Sequence, residues 1–193
     1  GETMEQQTFS ERDSLGFLAN HFSGYEPFTL SNGATVQVPK YFLTFKEWRG
    51  QKLQHTFGGK RVVDVSGSPQ FVELAIADLF KRQGFYVRWI ETYGRSSGLP
   101  MFLLDWKDMP YKDQDDHPIG DGWVKDALAG VASLNGNTYS GCWDVIAWGG
   151  GRLYFIESKR RGRDKLRESQ RRWLDVGLSA GLPLESFIII EWS

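Results

Sequence analysis

The sequence predicts an α/β domain, and three observations carry that prediction. Apolar residues recur at helical spacing from Phe71 to Phe80 and again from Leu166 to Leu178. Phe85–Ile90, Trp143–Trp148, Leu153–Glu157 and Phe187–Ile190 are instead short apolar runs bounded by turn residues, the pattern of buried strands. Gly149-Gly150-Gly151 separates the second and third of these runs and predicts a hairpin. In chain order the elements are helix, strand, insertion, strand, strand, helix, strand.

Composition narrows the class. The chain has 193 residues, of which 40% are hydrophobic and 15% aromatic, enough for a sizeable core and incompatible with wholesale disorder. Its length fits one domain with elaborations, or one domain plus a small appendage. Cys142 is the single cysteine, so no intramolecular disulfide forms, and His21, His55 and His117 are too scattered for a zinc site. The longest apolar runs are far shorter than a membrane span, and no basic segment followed by an apolar one opens the chain. The expectation is a soluble protein without a membrane partner in a reducing compartment, cytoplasmic or, in a eukaryote, nuclear. Gly1-Glu2-Thr3 reads as a cloning remnant before a native start at Met4, and the two ends suit a fragment as well as a stand-alone protein.

Residues 1–67 read as an N-terminal extension of short strands and turns: Phe28–Leu30, a turn at Ser31-Asn32-Gly33, then Thr35–Val38 ended by Pro39. No chemistry is evident there. Residues 68–193 form the expected core. Ser68 is placed as N-cap and Pro69 at the first helical position, with Gly84 ending the helix. Residues 92–140, rich in Gly, Asp, Pro and aromatics, read as an insertion with one helix over 123–134. The last helix is placed over 164–178, stopped by Gly181 and Pro183.

A formal net charge of −1 conceals opposite local charges. Lys159 to Arg172 carries eight basic residues, whereas Asp105 to Asp126 carries seven aspartates and three lysines. The basic run follows directly on the most informative group. Glu157 and Lys159 are two apart at the end of a predicted strand and so share a face. Asp144 lies on the partner strand, opposite or nearly opposite Glu157 depending on register, which brings two carboxylates within reach of one divalent cation.

Asp144, Glu157-Ser158-Lys159 and the element order resemble the PD-(D/E)xK nuclease superfamily. Phe155-Ile156-Glu157-Ser158-Lys159, Arg163-Asp164-Lys165-Leu166, Ser169-Gln170 and Trp173-Leu174 are similar to its VRR-NUC branch. The resemblance covers Ser68 to Trp192. It implies a restriction-endonuclease-like αβββαβ core, a mixed central sheet flanked by helices, with residues 1–67 as a β-rich extension. It also implies a nuclease that hydrolyses DNA phosphodiesters with Mg²⁺ or Mn²⁺ and leaves a 5′-phosphate, in a DNA-repair or phage-related role. Asp144, Glu157 and the Ser158 carbonyl would hold the metal. Glu73 would be the first-helix glutamate, a further ligand, and Gln170 the second-helix glutamine. Trp143 stands where the family has proline, so that motif rests on Asp144 alone. Lys159 would orient or deprotonate water or stabilise transition-state charge, and the sequence leaves these roles open. Arg160, Arg161, Arg163, Lys165 and Arg167 form the expected phosphate-binding run.

Competing readings use the same residues. Asp105-Trp106-Lys107 after Met101–Leu104 is a rival carboxylate-lysine pair, without an upstream carboxylate or a following basic helix. Asp113-Gln114-Asp115-Asp116 does not continue as a calcium loop. Most of the eight Trp are expected in the core and His117 in a loop. The alternative function is a nuclease-fold module that binds nucleic acid or protein without cutting. RNA in place of DNA, branched or linear substrate and oligomeric state are all left open.

Overall fold

Residues 15–92 and 99–193 are described in the computed structural model; the expected start at Met4 lies outside them. The strands are β1 (Phe22–Thr29), β2 (Thr35–Leu43), β3 (Lys46–Glu47), β4 (Val62–Val65), β5 (Ser68–Phe71), β6 (Tyr86–Glu91), β7 (Met101–Leu103), β8 (Val145–Gly149), β9 (Arg152–Arg160) and β10 (Phe187–Trp192). The helices are α1 (Val72–Arg82), α2 (Gly122–Leu134) and α3 (Glu168–Ser179), with short 3-10 helices at Gly16–His21, Tyr111–Asp113 and Leu184–Ser186.

A run such as Phe187-Ile188-Ile189-Ile190 has no polar face, so it is stable only when both faces are covered. β10 is accordingly interior to a seven-stranded sheet of order β1-β2-β10-β9-β8-β6-β7. The sheet is mixed: β10 runs parallel to both β2 and β9, and the other pairs are antiparallel. Ile188 and Ile190 join Ile156, Val145 and the apolar stripe Val72, Ala75, Ile76 and Phe80 of α1. Phe187 and Ile189 face the other way, onto Phe155, Val124, Leu128 and Val131 of α2 and Trp173 and Leu174 of α3. Helices thus cover both faces, and the two-residue period of each strand divides its side chains between two cores. A second sheet of order β3-β4-β5 leans on a third cluster, Phe57, Phe71, Leu74, Trp89, Met101 and Leu103. Among the described residues no helix is long and apolar enough to cross a membrane.

Several boundaries differ from those expected, each for a local reason. Pro39 does not end its strand. It pairs with Tyr25 of β1, and β2 acquires its second neighbour, β10, only from Lys40, so the missing N–H falls where one flank is still unpaired. Ser68 and Pro69 are not the start of a helix but lie in β5, paired with Val65 and Asp64. Ser66 and Gly67, both at positive φ, close that hairpin, and Asp64 Oδ1 accepts the Gly67 N–H at 2.8 Å. Pro69 is tolerated because β5 is an edge strand. Helix α1 therefore begins at Val72; Gly84, at φ 97°, follows its end as expected. The last helix starts at Glu168, not at Asp164. Asp164 instead closes a tight loop around Gly162, its Oδ2 accepting the Arg160 N–H at 2.9 Å and its own N–H donating to the Arg160 carbonyl at 3.0 Å. Within the predicted insertion, β7 extends the main sheet beside β6. β1 and β2, from the predicted extension, extend the same sheet at its other end.

Close packing of α3 on β10 depends on Gly177. A Cβ built there would lie 2.7 Å from Cζ of Phe187, a fully buried ring held between Trp143 and Phe155. Alanine favours a helix over glycine by about 1 kcal/mol, yet overpacking a filled core typically costs about 1–3 kcal/mol. Gly177→Ala is therefore expected to lower the urea midpoint, with a net loss of up to about 2 kcal/mol.

Candidate functional site

The β8–β9 hairpin decides where the acids meet. Gly150 and Gly151, at φ 57° and 75°, form its two-residue turn, and Val145 pairs with Ile156. That register sets Asp144, just ahead of β8, opposite Glu157. The two are joined through the backbone: the Asp144 N–H donates to Glu157 Oε1 at 3.2 Å, and the Ser158 N–H donates to Asp144 Oδ2 at 2.9 Å. Asp144 is anchored from its other side by the Ile90 N–H, which donates to its carbonyl at 2.8 Å. A strand residue sends its N–H and C=O to the same edge, so the Ser158 carbonyl is aimed along the Asp144 side.

Glu157 is 0% exposed, an unusual position for a carboxylate. Burial first, and then the charge of Asp144, push its carboxyl well above the usual carboxylate range, with Lys159 opposing the shift. The Lys159 ammonium is 3.3 Å from Glu157 Oε2, in a geometry that leaves this oxygen without an accepted hydrogen bond.

These groups line a strongly polar cleft of about 480 Å³, and further charges enter it. Glu73, in the first turn of α1, and Glu91, at the end of β6, both line it. Between them lies Lys60, 3.2 Å from Glu91 Oε2 and 3.8 Å from Glu73 Oε1. Burial lowers the Lys60 pKa, but Glu73, Glu91 and Asp144 outweigh it and hold the ammonium above the ordinary lysine value. Glu73 moves up as well, to about 7, because burial, aided by Asp144 and Glu91, exceeds the stabilisation from Lys60. Its Oε2 is buried without a hydrogen-bond partner. Lys60 and Glu91 are the cleft residues that sequence reasoning missed. An acid ending a buried strand was a usable signal for Glu91. For Lys60 the only signal was Gly58-Gly59 just before it; Phe57, Gly58 and Gly59, all at positive φ, shape that turn.

The other predicted residues divide. Gln170 lines the cleft, but its Oε1 accepts the Arg167 N–H at 2.9 Å and so caps the start of α3, while its carbonyl accepts the Trp143 indole N–H at 2.9 Å. Arg163, Lys165 and Arg167 line the cleft. Arg160 and Arg161 are engaged elsewhere: Arg160 lies over the Trp192 ring at 5.6 Å, and Arg161 over Phe42 at 3.6 Å with Glu191 3.8 Å away. Asp105 and Lys107, the rival pair, lie outside the cleft, and Lys107 binds Asp115 at 3.1 Å. Trp89, Trp143 and Trp173 are fully buried, as core. Cys142 borders the cleft, and burial, then Glu157 and Asp144, raise its thiol well above the usual value, so it stays protonated.

Asp144, Glu157 and the Ser158 carbonyl offer oxygen donors, including the hydrogen-bond-free Oε2 of Glu157, and such a set fits a hard divalent cation. Among the described residues no three His, Cys, Asp or Glu side chains are gathered as a ready metal-binding group. Glu73 and Glu91 are turned to Lys60.

The Glu73 shift has a pH consequence. Its native carboxyl, at about 7, holds a proton that the unfolded chain, at about 4.5, has released. Stability of metal-free protein should therefore fall as pH rises from about 4.5 to 7, by roughly 3 kcal/mol at about 1.4 kcal/mol per pKa unit. Denaturation in EDTA across this range is expected to show the descent in the parent and a flatter profile in Glu73→Gln.

Comparison with known proteins adds no identity to this geometry: no family model matches the chain, and no curated protein or solved structure matches it.

Proposed function

We propose that the chain is a metal-dependent nuclease that hydrolyses DNA phosphodiester bonds in this cleft. The observation that carries the reading is the convergence of Asp144, Glu157 and Lys159 at one end of β8 and β9, bordered by Arg163, Lys165 and Arg167. The order α1, β6, β8, β9, α3, β10 is helix, three strands, helix, strand, which supports the resemblance to the restriction-endonuclease-like core.

Each residue then has a task. Asp144, Glu157 and the Ser158 carbonyl would hold Mg²⁺ or Mn²⁺, which when bound neutralises phosphate charge and makes a coordinated water more acidic. Lys159 points its N–H donors into the same space and offsets charge that develops on the phosphate or orients the attacking water. Glu157 would hold the metal as a carboxylate, so the burial that favours its protonated form would oppose metal uptake as pH falls. Arg163, Lys165 and Arg167 bind the nucleic-acid backbone.

Linear and branched DNA incubated with Mg²⁺, Mn²⁺ or EDTA tests the reading. The parent should cut with either metal and not with EDTA. Lys159→Ala should lose about 10²-fold or more in turnover while Mn²⁺ binding by calorimetry persists, and Asp144→Asn should lose both. DNA binding with no cutting under any metal would leave a binding module.

The salt dependence of binding separates the two halves of the basic run. Each phosphate neutralised on duplex DNA contributes about −0.9 to the slope of log affinity against log salt. In a Lys159→Ala background with Ca²⁺, replacing Arg163 and Lys165 with alanine should flatten that slope by roughly one to two units. Arg161→Ala, which removes a cation already occupied by Phe42 and Glu191, should leave the slope unchanged.

A further inference from the structure

The carboxylates of the cleft fall into two groups with different counter-ions. Asp144 and Glu157 are joined by backbone hydrogen bonds, with Lys159 beside Glu157. Glu73 and Glu91, from α1 and β6, share one cation, the Lys60 ammonium. Lys60 comes from a different part of the chain than any other cleft residue, the turn that leads into β4. Its backbone N–H donates to the Thr56 carbonyl at 2.7 Å, and its ammonium lies 5.7 Å from the centre of the Trp89 ring. The side chain is 26% exposed, so the cation is placed inside the cleft and not on its rim.

We propose that Lys60 is a tethered cation that occupies the Glu73–Glu91 half of the cleft, keeps divalent metal out of that half, and weakens metal binding at Asp144 and Glu157. The inference rests on the metal-binding reading above. An ammonium fixed beside a divalent cation repels it through poorly solvated space, where charges act on one another more strongly than in water. By pairing with Glu73, whose Oε2 accepts no hydrogen bond, Lys60 also withholds a carboxylate that could act as an oxygen donor. Both effects have the same sign, so removing the charge should tighten metal binding. A lysine that served only to brace the fold would do the opposite, since its loss would loosen the acids around it.

The test is calorimetric titration of Mn²⁺ into the metal-stripped 193-residue chain. Lys60→Met should bind Mn²⁺ at least five-fold more tightly than the parent, and the charge-retaining Lys60→Arg should stay within two-fold of it. Lys60→Gln keeps an N–H donor for Glu91 without the charge and should also tighten binding; it decides the matter if the methionine variant does not fold. A parent that binds no Mn²⁺ beside a Lys60→Gln variant that does would support the proposal. Unchanged or weaker affinity in the uncharged variants, with the parent binding normally, overturns it and leaves the metal site standing. No Mn²⁺ binding by any of the four proteins overturns the proposal and the metal reading together.

Discussion

A carboxylate with no exposure within an interior strand is the constraint on which the cleft depends. Glu157 cannot be carried there as an isolated charge, because an unpaired ion in a protein interior costs far more than the fold can supply. It is held by a backbone N–H from Asp144 and an ammonium from Lys159, and part of the remaining cost appears as a raised pKa. Those partners are positioned by ordinary fold geometry. The hairpin turn sets the Asp144–Glu157 register, the strand period puts Lys159 on the face of Glu157, and β10 covers the other edge of β9.

The Gly141–Ser169 contact shows how closely the cleft wall is fitted. A Cβ on Gly141, at φ 78°, would fall 1.9 Å from the Ser169 carbonyl oxygen. The segment ahead of β8 and the first turn of α3 therefore meet backbone to backbone, and Trp143 ties them with its indole N–H. No longer residue fits at Gly141 without moving one of them.

Periodicity and turn chemistry made most of the central architecture legible. The β8–β9 hairpin, β6, β10, α2 and the body of α1 follow from apolar spacing and glycine turns, because in these segments local preference and tertiary packing agree. Asp144, Glu157 and Lys159 were legible for the same reason: a two-residue period and a short turn fix their relation. The errors lie where a side chain redirects the backbone. Asp164 folds its own segment into a loop and delays α3, so Arg160 to Arg167 is a strand end and a loop and not a helix face. Ser68-Pro69 has the form of a helix start but is captured by the turn at Ser66-Gly67. Lys60 was beyond reach because Gly58-Gly59 marks only a turn and not what its next residue meets; its place in the cleft comes from the ion pairs it makes with Glu73 of α1 and Glu91 of β6.

β10 has consequences for the solubility of any shortened chain. Its six residues are almost entirely apolar, and one of its two edges is covered only by β2, from the part of the chain that contributes no acid to the cleft. A piece beginning at residue 68 would retain Asp144, Glu157 and Lys159 and lose that cover. Along Ile189 to Trp192 the backbone N–H and C=O groups of alternate residues, those turned toward β2, would then be unpaired beside isoleucine side chains. That is the form of strand edge on which neighbouring chains add to one another. β2 thus closes an edge that a chain cut at residue 68 would leave open, and the same cut would also remove Lys60 from the cleft.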